Sequence, residues 1–405
     1  MAGPLSGVKI LDMSRVLAGP SCAQLLGDLG ADVIKVERPG EGDDTRKWGP
    51  PYLKDAAGRD TTESAYYLAA NRAKRSLALD FTKPEGQAIA RRLAAQSDVL
   101  IENYKLGTLA RYGLAYPDLH GEFPRLVYCS ITGFGQTGPY APRAGYDYLI
   151  QAMGGIMSLT GEPRGEPMKV AVAIADLMTG VYSSTAILAA LRHRDLTGEG
   201  QQIDMALLDV QVAWLANLGQ SYLTSGKLPE RLGNAHATVV PYQVFPTADG
   251  HIVLAVGNDG QFRKFCAFAG APELAEDPRF ASNSNRIRNR AGLVPELAAL
   301  LARQPSAHWI EGLERQGVPC GPINRLDQVF ADPQVVARQM TVEMPHPAAG
   351  GAPTRLIANP IKLSETPVEY RRAPPMLGQH SEEILGERLG FSAAEIAGLR
   401  ERGVI

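Results

Sequence analysis

The chain has 405 residues, 45% of them hydrophobic and 21% charged, with a formal net charge of −2 at pH 7. This balance is ordinary for a globular enzyme, and it excludes the strongly basic footprint of a nucleic-acid-binding protein. Because the length exceeds what one hydrophobic core usually fills, we expect two domains. The cysteines are far apart and form no C-x-x-C pair, so the sequence predicts neither a zinc site nor a disulfide framework.

The beginning of the chain has no targeting signal. Residues 1–7 lack the basic and apolar regions of a signal peptide, and no apolar run was expected to reach the length of a membrane span. We therefore expect a cytoplasmic protein with no membrane partner.

The first half of the chain alternates between strand-like and helix-like segments. Strands are predicted over 8–13 and 32–37, with a helix over 20–29 between them. A helix from 84 to about 96 precedes a strand over 98–103, and further strands are predicted over 126–131 and 170–175. Such alternation predicts an α/β fold with a large, doubly wound, Rossmann-like parallel sheet.

The pattern changes after residue 205. A long helix over 206–224 leads into two strand-like runs over 242–245 and 251–256, and mostly helical segments follow to 316. These segments predict a smaller α+β domain. The resulting division is 1–205, 225–330 and 331–405, and the spacing of Ser392 and Glu395 predicts a capped helix in the last segment.

Asp176 stands where the apolar run 170–175 ends and a helix of small residues begins. A carboxylate at this place can cap the helix by accepting its first free N–H groups. It can also act as a nucleophile, and the helix dipole is expected to keep it ionised near neutral pH. The local pattern alone favours capping as the only role.

Two glycine-rich segments invite a ligand-binding interpretation. Residues 133–138 match G-x-G-x-x-G, but Pro139 and Pro142 follow at once, so the helix of a dinucleotide site is not expected and the glycines are predicted to shape a loop. Residues 257–261 follow a strand and lack the ending of a phosphate-binding loop. They are either an ordinary turn or a mobile flap.

Other motifs narrow the chemistry. Residues 42–51 form a polar loop beyond a strand end, where doubly wound sheets place their ligands. Four arginines lie in or after strand-end segments, where they could bind phosphates: Arg38, Arg75, Arg111 and Arg143. Scattered arginines more often form surface ion pairs, so their position and not their number supports this interpretation. No H-E-x-x-H or G-x-S-x-G motif is present, which excludes the common metallohydrolase and serine-hydrolase signatures.

Short segments along nearly the whole chain recur in a characteristic order and spacing: 5–12, 15–20, 30–38, 42–48, 71–80, 102–104, 130–140, 145–147, the turn at Asp176, 231–234, 257–262 and 378–380. Together these segments resemble the class III CoA-transferases, a group that includes formyl-CoA transferase, carnitine CoA-transferase and the α-methylacyl-CoA racemases. Leu17 stands where formyl-CoA transferase has a glutamine, so the pattern is closer to the branch that takes dicarboxylic acids from succinyl-CoA.

The resemblance implies covalent catalysis and reverses the preference for capping alone. Asp176 would attack the donor thioester, giving an acyl-aspartyl anhydride and then an aspartyl-CoA thioester, from which CoA passes to the acceptor acid. Water must be excluded during these steps. CoA is then a substrate, and no permanent cofactor or metal is expected.

The resemblance also implies positions for the substrate. The residues matching CoA contacts are Val16, Ala18, Arg38, Leu79, Asn103, Tyr104 and Arg111, with Arg143 substituting for a basic family position that is Ala144 here. Leu17, Trp48 and Tyr146 match the acyl pocket, and Gly257, Gly260 and Gln261 match a closing glycine loop. The family further implies an interlocked homodimer in which residues 331–405 return to the large domain.

Three other functions stay open at this point. A racemase would need a histidine in a Gly-His-Asp segment, but the chain has Gly145-Tyr146-Asp147, and a tyrosine is a poor base at neutral pH. A non-catalytic acyl-CoA-binding protein would not need Asp176. An NAD-dependent oxidoreductase would need the 133–138 motif to bind nicotinamide.

Overall fold

A computed structural model describes residues 3–405 and divides the chain into two compact units. The larger unit combines the residues up to 156 with 170–223 and 334–405. The smaller unit combines 157–169 with 224–333. Each unit therefore contains segments that are distant in sequence.

The strands, numbered along the chain, are β1 Lys9–Asp12, β2 Asp32–Glu37, β3 Tyr52–Lys54, β4 Asp60–Ser64, β5 Lys74–Ala78, β6 Val99–Glu102, β7 Val127–Thr132, β8 Gln202–Ala206, β9 Tyr242–Pro246, β10 His251–Ala255, β11 Cys320–Pro322, β12 Thr341–Pro345 and β13 Pro353–Ile357. The α-helices are α1 Ala18–Asp28, α2 Ala65–Ala70, α3 Pro84–Ala95, α4 Tyr116–His120, α5 Asp147–Met153, α6 Ile156–Leu159, α7 Ile174–Thr197, α8 Leu207–Ala213, α9 Ala216–Ser225, α10 Asp259–Phe268, α11 Glu273–Glu276, α12 Asn283–Arg288, α13 Arg290–Leu301, α14 Ser306–Arg315, α15 Leu326–Ala331, α16 Pro333–Ala337, α17 Ser381–Glu383 and α18 Ala393–Glu401. Short 3₁₀ turns lie at Asp44–Lys47, Leu109–Tyr112 and Pro347–Ala349, and a π-helical turn lies at Ile384–Arg388.

The larger unit is built on a six-stranded parallel sheet with the order β5-β2-β1-β6-β7-β8. Strands β1, β2, β6 and β7 lie where the sequence predicts them, because their apolar residues form continuous buried runs. The predicted α/β fold with a parallel sheet is confirmed. The smaller unit has an antiparallel sheet, β11-β10-β9, packed with helices.

Side chains of the large sheet alternate between two hydrophobic clusters. Leu11, Ile34 and Leu100 belong to one cluster, which also contains residues of α3 and α18. Ile10 and Val33 belong to the other, which contains residues of α1 and α7. Because successive strand residues point to opposite faces, this division means that helices cover both sides of the sheet.

The strand order reverses between β1 and β6, since the chain proceeds outward from β1 through β2 to β5 and outward from β6 through β7 to β8. Crevices outside the carboxyl ends of strands at such a switch point are the usual ligand sites of doubly wound sheets. The segments that follow β1 and β6 are therefore the first place to look for a site.

Two predicted elements differ from the structure, and two strands of the large sheet were not predicted. No strand covers 170–175, and α7 instead begins at Ile174. The helix predicted over 206–224 is two helices, α8 and α9, and Ala216 at their junction has a φ of +45°. Strands β5 and β8 were not predicted, because both sequences are rich in polar residues.

Helix α7 has the length and mean hydropathy, 1.4, of a membrane span, and within residues 3–405 it is the one helix that meets both criteria. The sequence analysis did not anticipate this. One stripe of the helix, including Gly180 and Ile187, is buried, and the helix contacts α1 and α8. Core helices of large units have the same composition.

The polar segment after β2 is fixed by a buried ion pair network around Arg46. Its guanidinium donates to Glu37 at 2.8 Å and to Glu63 at 2.6 Å, and it also donates to the Pro375 carbonyl at 2.9 Å. The Arg46 side chain is 5% exposed. Burial opposes the charged form, but the contacts with Glu37 outweigh it and raise the pKa of Arg46.

Replacing Arg46 with methionine should leave Glu37 and Glu63 buried without their cation and lower the free energy of unfolding by about 3–5 kcal/mol. Urea unfolding followed by circular dichroism measures the loss. The control is Arg59→Met, which breaks an exposed pair with Asp55 and should change the stability little, because water screens exposed charges. Equal losses in the two variants would contradict the assignment.

Candidate active site

The loops after β1, β6 and β7 border a cleft that also contains Asp176, and we call it the Asp176 cleft. It lies at the switch point of the sheet. Its lining comprises Arg15, Val16, Leu17, Ala18, Asp44, Asn103, Tyr104, Lys105, Leu106, Ile131, Thr132, Gly133, Ala141, Arg143, Ala144, Gly145, Tyr146, Asp176 and Leu207. The cleft thus brings together most of the residues that the sequence analysis assigned to CoA and acyl binding.

Val16 has a φ of +70°, a backbone conformation that costs energy for a β-branched residue. Its N–H donates to the two carboxylate oxygens of Asp43 at 3.2 and 3.3 Å. Asp43 also accepts from Lys35 Nζ at 2.9 Å, and Lys35 donates in turn to the Ser14 carbonyl at 2.9 Å. These contacts hold the loop between β1 and α1 in the strained shape that lines the cleft.

The Lys35 and Asp43 pair belongs to a longer chain of buried charges. Burial favours the neutral form of Asp43, but the charge and hydrogen bond of Lys35 outweigh this and lower the pKa of Asp43 to about 2. Asp12 accepts from Ser14 and from Lys74 Nζ, the latter at 2.9 Å. Burial lowers the pKa of Lys74 to about 8. Each carboxylate in the chain therefore has a cation beside it.

The loops after β1 and β6 are tied to each other across the switch point. Asn103 accepts from the Arg15 N–H at 2.8 Å and donates to the Arg15 carbonyl at 2.7 Å. The Arg15 guanidinium lies 5.1 Å from the centre of the Tyr104 ring and pairs with Asp44 at 3.1 Å. Arg15 was not singled out from the sequence, although it begins one of the segments that carry the family resemblance.

A second cleft adjoins the first, and we call it the Arg38 cleft. Arg15, Asp44 and Tyr104 line both clefts. The other residues around the Arg38 cleft are Lys35, Val36, Glu37, Arg38, Glu41, Gly42, Asp43, Leu79, Asp80, Phe81, Thr82, Thr108 and Tyr112. The three shared residues show that the two clefts adjoin in the larger unit, and we call the two together the groove.

The predicted basic residues take different places in this groove. The Arg38 side chain is 71% exposed, and within the described part of the chain its one ion pair is an exposed pair with Glu41. Arg111 is outside both described linings, but its guanidinium lies 5.8 Å from the ring centre of Tyr112. Arg143 is exposed in the Asp176 cleft.

The G-x-G-x-x-G segment forms turns and not a helix, as the sequence analysis expected. A side chain on Gly133 would meet the Cα of Gly145 at 2.6 Å, and one on Gly145 would meet the Cα of Gly133 at 2.5 Å. Both glycines line the Asp176 cleft. Their role is close backbone contact between two loops.

Asp176 lies in the first turn of α7 but does not cap it. Asp147 does so instead, because its Oδ1 accepts from the N–H groups of Ala175 at 2.8 Å and Asp176 at 3.3 Å. Within residues 3–405 the Asp176 carboxylate has no hydrogen bond or ion pair of its own. The interpretation of Asp176 as a helix cap is therefore wrong.

The surroundings of Asp176 favour its neutral form. Burial, with a further contribution from the Asp147 charge, raises the pKa of Asp176 to about 7. The expectation that the helix dipole keeps this carboxylate fully ionised is wrong, because desolvation is the larger effect. Burial raises the pKa of Tyr66 as well, and the charges of Asp176 and Asp147 add to it, so Tyr66 is also close to this group.

The residues predicted for the acyl pocket surround the same region. Leu17 is 8% exposed, and Tyr146 is 64% exposed where it lines the cleft. Trp48 is outside the described lining, but its ring packs edge-on against Tyr66 at 5.1 Å. Neither Tyr66 nor Asp147 was assigned to the site from the sequence.

The glycine loop is the start of a capped helix in the smaller unit. Asn258 accepts from the Gln261 N–H at 2.9 Å, and Gln261 Oε1 accepts from the Gly257 N–H at 2.8 Å. Gln261 also donates to the Gly317 carbonyl at 3.3 Å. Gly260 lies in the first turn of α10.

Among residues 3–405, no three His, Cys, Asp or Glu side chains are grouped so that they could hold a metal ion. The groove instead offers a carboxylate and an elongated binding surface. An unpaired, partly buried carboxylate faces a cleft that continues past aromatic and basic side chains. Such a site suits an extended, anionic substrate whose reactive end meets a nucleophile.

Comparisons with known proteins show which enzymes the chain is similar to. Residues 5–381 match the model of CoA-transferase family III. Succinate–glutarate CoA-transferase of Agrobacterium fabrum is 51% identical over 384 residues, 95% of each chain. Human succinyl-CoA:glutarate CoA-transferase is 44% identical over 402 residues, 99% of this chain and 90% of the human one. A CaiB/BaiF family crystal structure from Brucella suis superposes with a TM-score of 0.85 at 49% identity, covering 96% of this chain and all of that one.

The fold and its groove therefore define an enzyme that acts on CoA thioesters. The chain belongs to CoA-transferase family III, the CaiB/BaiF type, and the resemblance seen in the sequence is confirmed.

The raised pKa of Asp176 has a consequence for stability that unfolding experiments can measure. The folded state holds the proton more tightly than the unfolded chain, whose carboxyl has a pKa of 3.8. The resulting stability is complete below pH 3.8 and is lost as the pH rises through about 7. Wild type should thus lose stability between about pH 4 and pH 7 relative to Asp176→Asn, which cannot ionise. Urea unfolding at a series of pH values checks this, and parallel curves for the two proteins would contradict it.

Proposed function

We propose that this enzyme transfers CoA from succinyl-CoA to a dicarboxylic acid such as glutarate, with Asp176 as the nucleophile. The relatives named above, at 51% and 44% identity over nearly the whole chain, support the choice of substrates. The observation that supports the nucleophile is the free carboxylate of Asp176, which no cap or cation engages within the described chain.

In the first half of the reaction, an Asp176 oxygen attacks the thioester carbonyl of succinyl-CoA. The carbon–sulfur bond breaks, the acyl group is joined to Asp176 as a mixed anhydride, and CoA leaves as a thiolate. The thiolate then attacks the aspartyl carbonyl carbon. The carbon–oxygen bond to succinate breaks, succinate leaves, and Asp176 is left as a CoA thioester.

The second half is the same sequence in reverse with the acceptor. A carboxylate of glutarate attacks the aspartyl thioester, which restores the anhydride and the thiolate. Attack of the thiolate on the glutaryl carbonyl then gives glutaryl-CoA and frees Asp176. Because each step exchanges one activated acyl bond for another, the activation is retained if water is excluded.

The groove provides a path for the CoA. We assign the nucleotide end to the Arg38 cleft, beside Leu79 and with Arg111 close by. The pantetheine would pass Tyr104 and Asn103 and reach Val16 and Ala18 beside Asp176, and Arg143 is placed to contact the same chain. Arginines suit the phosphates because a guanidinium binds them in a bidentate fashion.

Two further features of the family resemblance remain proposals. The segment with Gly257, Gly260 and Gln261 would cover the intermediates and keep water away.

We also propose that the enzyme acts as an interlocked homodimer. Helices α7 and α9 carry exposed apolar side chains, which support an interface there: Val181, Tyr182, Leu188, Leu196, Tyr222 and Leu223. Light scattering coupled to size-exclusion chromatography tests the dimer, and a monomer at micromolar concentration would overturn it.

Asp176→Asn and Asp176→Ala should abolish transfer, with a loss of at least about 10³-fold in kcat, because the nucleophile is gone. Both variants should still bind CoA, because the rest of the groove is unchanged. Glutaryl-CoA formation measured by liquid chromatography gives the rate. Binding of CoA followed by calorimetry shows whether the variants are folded.

Trapping distinguishes the covalent route from direct transfer between bound substrates. Wild type incubated with succinyl-CoA and then with hydroxylamine should carry a hydroxamate on Asp176, and Asp176→Asn should carry none. Peptide mass spectrometry identifies the modified residue. An unmodified Asp176 in protein that turns over would refute the covalent mechanism.

A panel of acceptors tests the proposed substrate class. With succinyl-CoA as donor, dicarboxylates such as glutarate should be used in preference to monocarboxylates of the same length. Deuterium incorporation at the α-carbon of a 2-methylacyl-CoA is the control for racemase activity. Rapid exchange without CoA transfer would replace this proposal.

A further inference from the structure

The segment that leads into α7 is held by two side chains of α5. Asp147 caps the helix through Ala175 and Asp176, and its other oxygen, Oδ2, accepts from Gln151 Nε2 at 2.7 Å. Gln151 is fully buried, and its Oε1 accepts from the Val170 N–H at 2.8 Å. One turn of α5 thereby fixes the backbone on both sides of residues 171–174.

One aspartate could both cap α7 and present a carboxylate in the cleft, but here Asp147 caps the helix and Asp176 lines the cleft. A carboxylate in the first turn of a helix is ordinarily free to accept from the helix's own amides. Here the amides of Ala175 and Asp176 are already bonded to Asp147. The oxygens of Asp176 are therefore left for another partner, in the cleft that Asp176 lines.

We propose that Asp147 is the positioning residue for the Asp176 nucleophile: it replaces Asp176 as the cap of α7, and its negative charge favours the covalent states in which Asp176 is neutral. The proposal rests on the aspartyl mechanism given above and adds a role for a second carboxylate.

The electrostatic part follows from where charge moves in the reaction. Free Asp176 carries a negative charge close to that of Asp147, and the two repel. When Asp176 becomes an anhydride its charge passes to the thiolate sulfur, and in the CoA thioester it passes to the departing carboxylate. Either step relieves the repulsion. The same repulsion adds to burial in raising the pKa of Asp176 to about 7.

Asp147→Asn tests the charge separately from the cap, because asparagine keeps an oxygen acceptor of the same shape. Wild type and variant are mixed with succinyl-CoA and succinate at fixed ratios and quenched in acid, and intact-protein mass spectrometry measures the enzyme present as CoA thioester. The equilibrium constant for thioester formation should fall about tenfold, equivalent to a pKa difference of one unit.

The matched control is Asp118→Asn. Asp118 also accepts a backbone N–H at the start of a helix, that of Ala115 at 3.0 Å, but it lies outside the described linings of both clefts. Asparagine at this position also keeps the acceptor, and the loss of the charge should leave the thioester equilibrium unchanged. Circular dichroism compares the folding of the two variants, and if Asp147→Asn does not fold, Asp147→Ser replaces it, since serine also caps helices well.

The thioester measurement distinguishes failure of the positioning role of Asp147 from failure of the proposed function. An equilibrium constant equal to that of wild type in the folded Asp147 variant would overturn the positioning role and leave the Asp176 mechanism intact. If wild type itself forms no CoA thioester, the proposed function fails first. A tenfold fall confined to the Asp147 variant supports the inference.

Discussion

The active site depends on charges that are buried beneath it. Asp43, Lys35, Asp12 and Lys74 form a chain in which every carboxylate has a cation within hydrogen-bond distance. An isolated ion in this environment would be very costly, whereas paired ions can be kept and used to fix geometry. Through Asp43 the chain holds Val16 in a conformation that its side chain disfavours. The buried ion pairs therefore determine the backbone conformation of the groove wall at Val16.

The same pairing explains what sequence patterns could and could not reveal. Strands β1, β2, β6 and β7 were predicted because each contains a short apolar run, such as Ile10-Leu11 in β1 and Val99-Leu100-Ile101 in β6. Strand β5 begins with Lys74 and Arg75, which local patterns read as exposed, yet both are buried by ion pairs with distant residues. The partners are not visible locally. The apolar run 170–175 predicted a strand that the structure does not have, because this segment lies in a connection and not in the sheet.

The candidate site shows a similar division. The family resemblance pointed to Asp176 and to residues such as Val16, Asn103 and Tyr146 that the structure gathers in one cleft. It gave no role to Asp147, although the segment 145–147 was part of the resemblance. Its significance lies in two hydrogen bonds to residues about thirty positions away, and only the fold brings these together. A local pattern reports on a residue's neighbours in sequence, and here the decisive neighbours are elsewhere.

The C-terminal segment has a consequence for how the protein is made. The core on one face of the large sheet includes Ile384, Leu385, Ile396, Leu399 and Val404, which leave the ribosome long after the strands of that sheet. Every strand of the sheet has emerged by residue 206, and until 384–404 follow, α3 lies on that face without these residues. Apolar surface that is exposed during folding is prone to aggregate. The nascent chain of this enzyme therefore carries such a surface while residues 207–405 are being made.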